Sequence, residues 1–119
     1  MLVTLVDDDE AVRESLPDLV RVFGYAVSVF SSAEAFLASE VVDQTQCLIL
    51  DINMPGMGGI GLFRELKRLG KNVPVVFITA HKDAAVRDRL IAQGACDCLF
   101  KPFSDTALLA ALKVALREN

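Results

Sequence analysis

Four apolar runs in this sequence stop on polar groups that phosphorus chemistry can use. Leu2-Val3-Thr4-Leu5-Val6 gives way to Asp7-Asp8-Asp9-Glu10, Cys47-Leu48-Ile49-Leu50 ends on Asp51, Val73 to Ile78 ends on Thr79, and Cys98-Leu99-Phe100 runs into Lys101. Carboxylates gathered in one place repel, and a fold keeps them together only with a cation or a proton between them. Oxygen donors without nearby His or Cys select a hard ion, Mg²⁺ with Mn²⁺ as a substitute, over zinc. Such an ion keeps positions for waters and a phosphate oxygen. A carboxylate beside it can be a nucleophile toward phosphorus, giving an aspartyl phosphate. Lys101 and the Thr79 hydroxyl would supply the remaining charge and hydrogen bonding.

Each group also has a plainer reading. The acidic run would favour a helix N-terminus, Asp51 would start a loop, Thr79 would simply end a strand and Lys101 would be solvated. The conjunction selects the chemical reading, provided the four runs are parallel strands whose ends lie together.

The order of elements meets that condition. Pro55 and the glycines Gly56, Gly58 and Gly59 close the run before Asp51 within a strand's length. Val12, Leu16, Leu19, Val20 and Phe23 recur at helical spacing, with Pro17 expected to bend the helix and Gly24 to stop it. Ala26 to Phe30 alternates with polar residues and reads as an edge strand. Ser31 and Glu34 have the spacing of a capping box for a short second helix ending near Ser39. Asp43 to Gln46 reads as loop. Leu62, Phe63, Leu66 and Leu69 form a third helical stripe closed by Gly70, and Asp83 to Gln93 a fourth helix with Val86, Leu90 and Ile91 inward. Ser104 caps a fifth helix, with Leu108, Leu109, Leu112, Ala115 and Leu116 inward. Strand and helix alternate five times, which predicts a parallel sheet with helices on both faces by right-handed crossovers. All carboxyl ends then share one edge, where open α/β folds bind ligands.

Composition narrows the class. At 119 residues the chain is expected to be one domain, residues 1–119, and 53% hydrophobic content excludes a disordered tail. A net charge of −4 and a pI near 4.9 argue against this segment gripping nucleic acid. No run is long enough to span a bilayer and no signal peptide is visible, so a cytoplasmic location without membrane contact is expected. Cys47, Cys96 and Cys98 form no C-x-x-C pair and read as reduced core thiols.

With these residues in view, the sequence resembles a response-regulator receiver domain of two-component signalling over essentially its full length. The matching pieces are Val6-Asp7-Asp8-Asp9, Leu50-Asp51-Ile52-Asn53-Met54-Pro55-Gly56 with Gly59, Ile78-Thr79-Ala80 and Phe100-Lys101-Pro102-Phe103. The resemblance implies a flavodoxin-like, doubly wound sheet of order 2-1-3-4-5 with five helices. It implies Asp51 as phosphoacceptor, Mg²⁺ held by Asp7, Asp8, Asp51 and the Asn53 backbone carbonyl, Thr79 as switch hydroxyl and Lys101 as phosphate-pairing lysine. It further implies a sensor histidine kinase as partner, a homodimer on phosphorylation, and autocatalysed phosphorylation and dephosphorylation in place of metabolite turnover. Ser32-Ala33-Glu34-Ala35-Phe36-Leu37 and Thr79-Ala80-His81 are similar to receivers joined to LuxR-type helix-turn-helix domains, so DNA would be reached only through an output segment outside this chain.

One position departs from the family. Receivers usually carry Tyr or Phe three residues before the lysine, and Cys98 stands there. His81, two after Thr79, occupies a position that in the family tunes dephosphorylation, or is an exposed loop histidine. On the fifth helix, Ala107, Ala111 and Val114 are expected to face a partner, as that helix does in the family with helix four and strand five. Other functions fit the residues less well. A phosphohydrolase of the dehalogenase type wants a second acid where Asn53 stands, and a phosphate-independent binding scaffold has no use for the acidic site.

Overall fold

Each apolar run becomes a strand, and the register of the strands decides where the polar residues fall. The structure, a computed structural model described over residues 1–117, has the order β1 (Leu2–Val6), α1 (Glu10–Val22), β2 (Ala26–Phe30), α2 (Ala33–Leu37), β3 (Cys47–Asp51), α3 (Gly58–Arg68), β4 (Val75–Thr79), α4 (Ala84–Ala92), β5 (Asp97–Phe100) and α5 (Asp105–Ala115). The last two residues of the expected domain lie outside the described residues. All four strand pairings are parallel and the sheet order is β2-β1-β3-β4-β5, as anticipated. Val6 pairs with Leu50, Asp51 with Ile78, and Thr79 with Phe100. Asp7, Asp51, Thr79 and Lys101 therefore lie within about one residue of a line across the carboxyl edge.

Side chains alternate across the sheet and divide the core in two. Leu48, Leu50 and Phe77 face α2, α3 and α4 through Phe36, Leu62, Phe63, Leu66 and Leu90. Cys47, Ile49, Val76 and Ile78 face α1 and α5 through Leu16, Val20, Leu108 and Leu112. The central strands β3 and β4 are buried along their whole length, while β2 at the edge is mostly half-buried. Edge-to-face ring pairs, Phe63 with Phe77 at 5.2 Å and Phe30 with Phe36 at 5.6 Å, fix α3 and α2 against the sheet. Truncating a fully buried side chain such as Leu112 would cost about 2–5 kcal/mol.

Pro17 lies inside α1 without breaking it, and Gly24 at φ +98° follows the helix in the left-handed conformation that lacks steric cost only for glycine.

Several local expectations are corrected. Ser32, one residue later than predicted, caps α2 by accepting from the Ala35 N–H, and Glu34 turns away to another element. Residues Glu40–Gln44 form a 3₁₀ helix, capped by Ser39, whose last two residues were expected to be loop. β4 begins at Val75, with the Pro74 carbonyl accepting from the Leu48 N–H just before it. Leu69 and Ile91 are exposed at the rims of their helices. Ala111, placed by sequence on a partner-facing surface, is only 3% exposed and packs into the core beside Leu108 and Leu112.

Candidate functional site

Asp7 is the fully buried member of the site. Its Oδ2 accepts from the Lys101 amine at 3.0 Å and its Oδ1 from the Asp9 N–H at 2.9 Å. The Arg13 guanidinium donates to the Asp7 carbonyl, tying α1 to the end of β1. Asp51, at the end of β3, is also buried. Its Oδ1 lies 3.8 Å from the Lys101 amine and 3.4 Å from the Asn53 N–H that donates to it. Asp8 is exposed, and one carboxylate oxygen from each of Asp7, Asp8 and Asp51 lies within 4.8 Å of the others.

Burial pushes the Asp51 carboxyl up to about 7, and the neighbouring Asp7 charge adds to the rise. Lys101 and the Asn53 N–H pull the other way. Three carboxylates against one ammonium leave excess negative charge in an all-oxygen donor set, and Asp8 opens it to solvent. That chemistry fits a hard divalent cation.

Thr79, at the end of β4, is buried. Its hydroxyl oxygen accepts from the Asn53 side-chain amide at 3.2 Å and from the His81 N–H at 3.0 Å. Cys98 is buried on β5, and together with Thr79 and the exposed His81 it lines a cavity over the sheet edge. The Lys101-Pro102 peptide bond is cis. Thus Asp7, Asp8, Asp51 and Lys101 meet in one cluster, and Thr79 joins it through Asn53. Ala107, half-buried, and Val114, 67% exposed, lie on α5 away from it.

Two residues shape the site in ways their sequence neighbourhood does not reveal. A Cβ on Gly59 would stand 2.1 Å from the Asp51 carbonyl oxygen, so the first turn of α3 touches the Asp51 backbone. The Glu34 carboxylate accepts from the Met57 N–H at 3.3 Å, bracing the loop after Asp51 from α2. α3 has no side-chain cap of its own, and that lack is the signal that an acid from elsewhere is needed.

A parallel sheet in this order, with acids, a hydroxyl and a lysine at its carboxyl edge, defines a receiver-type α/β domain. The chain belongs to the response regulator receiver domain family, whose profile matches residues 3–113. It is 42% identical over 116 residues to the response regulator protein TodT of Pseudomonas putida, covering 98% of this chain and 51% of that protein. It is 40% identical over 113 residues to the transcriptional regulatory protein FixJ of Rhizobium meliloti, covering 95% of this chain and 55% of that one. Among solved structures, the response regulator StyR superposes with a TM-score of 0.89 at 43% identity, covering 98% of this chain and 59% of that one. FixJ-N superposes with 0.86 at 38%, covering 99% and 94%. The chain spans about half the length of the curated relatives it matches. Among the described residues, no helix is long and apolar enough to cross a membrane.

Proposed function

We propose that the chain is a phosphorylation-controlled switch in which Asp51 takes a phosphoryl group from the phosphohistidine of a sensor kinase. The observation that carries this reading is the Asp51 carboxylate, buried beside Asp7 and 3.8 Å from the Lys101 amine. An Asp51 oxygen attacks phosphorus, the phosphorus–nitrogen bond breaks, and the histidine nitrogen leaves with the bonding electrons. Lys101 turns from the carboxylates to a phosphoryl oxygen. The Thr79 hydroxyl exchanges its bond with Asn53 for a second phosphoryl oxygen. Asp7, Asp8, Asp51 and the Asn53 carbonyl would hold Mg²⁺, which supplies positive charge against the transferring group.

The output follows from the displacement of Thr79. Cys98 cannot fill the space that Thr79 leaves, so the segment from His81 to Arg89 moves itself and alters the surface α4 and β5 share with α5. Relatives of about twice this length are named as response regulators and transcriptional regulators. By the same logic this receiver controls dimerisation or a DNA-binding output segment, and the protein acts in the cytoplasm. Residues 1–119 would form one such domain.

The test is mass spectrometry after incubation with acetyl phosphate and Mg²⁺. The wild type should gain one phosphoryl group and Asp51→Asn none. Equal labelling of the two would overturn the assignment.

A further inference from the structure

Beside Thr79 the sheet edge holds a cavity of about 350 Å³, near the lower end of the range that small-molecule sites occupy. Its composition is two-sided. Ile52, Ile60, Val86 and Cys98 supply the apolar lining, and Asn53, Thr79, His81 and Asp83 the polar lining. The small thiol of Cys98 leaves the volume free, because a larger side chain on β5 at that point would occupy it.

The charges nearby are already committed. The Asp83 carboxylate caps α4, accepting from the N–H groups of Ala85 and Val86 at 3.0 and 3.2 Å. The Arg87 guanidinium lies over the Phe100 ring at 5.4 Å and pairs with Asp88. Burial pushes the Cys98 thiol up to about 11, so it is neutral at ordinary pH. The charge in the lining, Asp83, is engaged with the N-terminus of α4, whereas an apolar ring would be desolvated against Ile60, Val86 and Cys98. Empty apolar cavities of less than half this size bind benzene in other proteins.

We propose that this cavity is a binding site for a compact, uncharged organic molecule, a single ring carrying one hydrogen-bonding group. The ring lies on Ile60, Val86 and Cys98, and the polar group meets the Asn53 amide or the Thr79 hydroxyl. The occupant is then two hydrogen bonds from Asp51, since Asn53 donates through its side chain to Thr79 and through its backbone to the Asp51 carboxylate. An occupant that holds Thr79 against Asn53 opposes the movement phosphorylation requires. Linkage is reciprocal, so phosphorylation weakens binding. This second half rests on Asp51 being the phosphoacceptor, whereas the binding site itself does not.

The experiment titrates phenol into unphosphorylated, metal-free protein, followed by amide resonances and by melting temperature. Saturable shifts confined to Asn53, Thr79, His81, Val86 and Cys98, with a rise in melting temperature, are expected. Cys98→Phe and, separately, Val86→Phe should each fill the cavity and abolish the saturable response while the protein still melts cooperatively. Shifts that never saturate, that scatter over the surface, or that persist in both filled variants would overturn the site. Repeating the titration after acetyl phosphate treatment should show weaker binding; unchanged affinity in protein shown by mass to be phosphorylated would overturn the coupling. Failure of Asp51 to label would strike the phosphoacceptor reading alone.

Discussion

Lys101 and Asp7 lie 94 residues apart in sequence, and the lysine amine is 3.0 Å from an aspartate carboxylate with no exposure to solvent. A buried carboxylate requires a partner, because breaking such a pair by removing one member costs about 3–5 kcal/mol. Lys101 is shared, however, since Asp51 stands 3.8 Å from the same amine. One cation between two buried acids leaves the second acid incompletely compensated. Burial first, and that shortage second, raises the Asp51 carboxyl.

The shortage predicts a pH dependence. Asp51 holds its proton up to about 7 in the fold, against 3.8 ordinarily. Between those values the native state binds a proton that the unfolded chain has released, so stability falls as pH rises from about 4 to 7 and levels off above. At about 1.4 kcal/mol per pH unit the whole effect is on the order of a few kcal/mol. Urea denaturation in EDTA should show this slope for the wild type and a smaller one for Asp51→Asn, which should also be the more stable protein at pH 8. Parallel slopes would refute the account.

A divalent cation should relieve the same repulsion. Mg²⁺ binding the native state raises the melting temperature by mass action. The rise should be larger at pH 8 than at pH 5.5, where protons compete for the carboxylates. Asp8→Ala should diminish it strongly. Melting that ignores millimolar Mg²⁺ would favour a phosphate-independent scaffold.

The close approach at Gly59 gives a paired test within one helix. Gly59→Ala drives a methyl against the Asp51 carbonyl and should cost about 1–3 kcal/mol as overpacking, with slower labelling by acetyl phosphate. Gly61→Ala meets only the flexible Met57 side chain and should be neutral, or more stable by up to about 1 kcal/mol because alanine favours helix. Equal denaturation midpoints for the two variants would contradict the assigned contact.

α4 is held lightly, with Leu90 its one buried residue among those described. Hydrogen exchange between His81 and Arg89 should therefore change on treatment with a beryllofluoride mimic, and sedimentation should show a dimer that Val114→Glu disrupts. Because Ala111 is buried, an interface on α5 would use Val114 with the exposed Ala110 and half-buried Ala107. Exchange that stays constant, or a dimer indifferent to Val114→Glu, would place the switch elsewhere.

The sheet and the cluster of Asp7, Asp51, Thr79 and Lys101 were readable in the sequence because each strand is a nearly continuous apolar run ending abruptly on a polar group. Parallel order then brings those ends together. The errors have local causes. Ser31 and Ser32 are equally good caps by residue type, so the sequence does not choose between them. Ala110 and Ala111 differ by about 100° on the helix, yet alanines offer no polarity contrast to show which faces inward. Ile91 beside Leu90 is the same problem at a helix rim. Glu34 was visible as an acid, but its partner Met57 is 23 residues away and joined only by tertiary packing. The cavity over Cys98 is empty space, which no residue pattern encodes.

The division of the core by the sheet has a consequence for how such a domain diversifies. Residues such as Phe63 and Leu66 beneath α3 share no contact surface with Leu108 and Leu112 beneath α5. Substitutions in the two halves should then act independently, their effects summing when combined. Lineages could rewrite one flank to suit a new partner while inheriting the other unchanged. The strand ends, where Asp7, Asp51, Thr79 and Lys101 stand, fall in neither cluster.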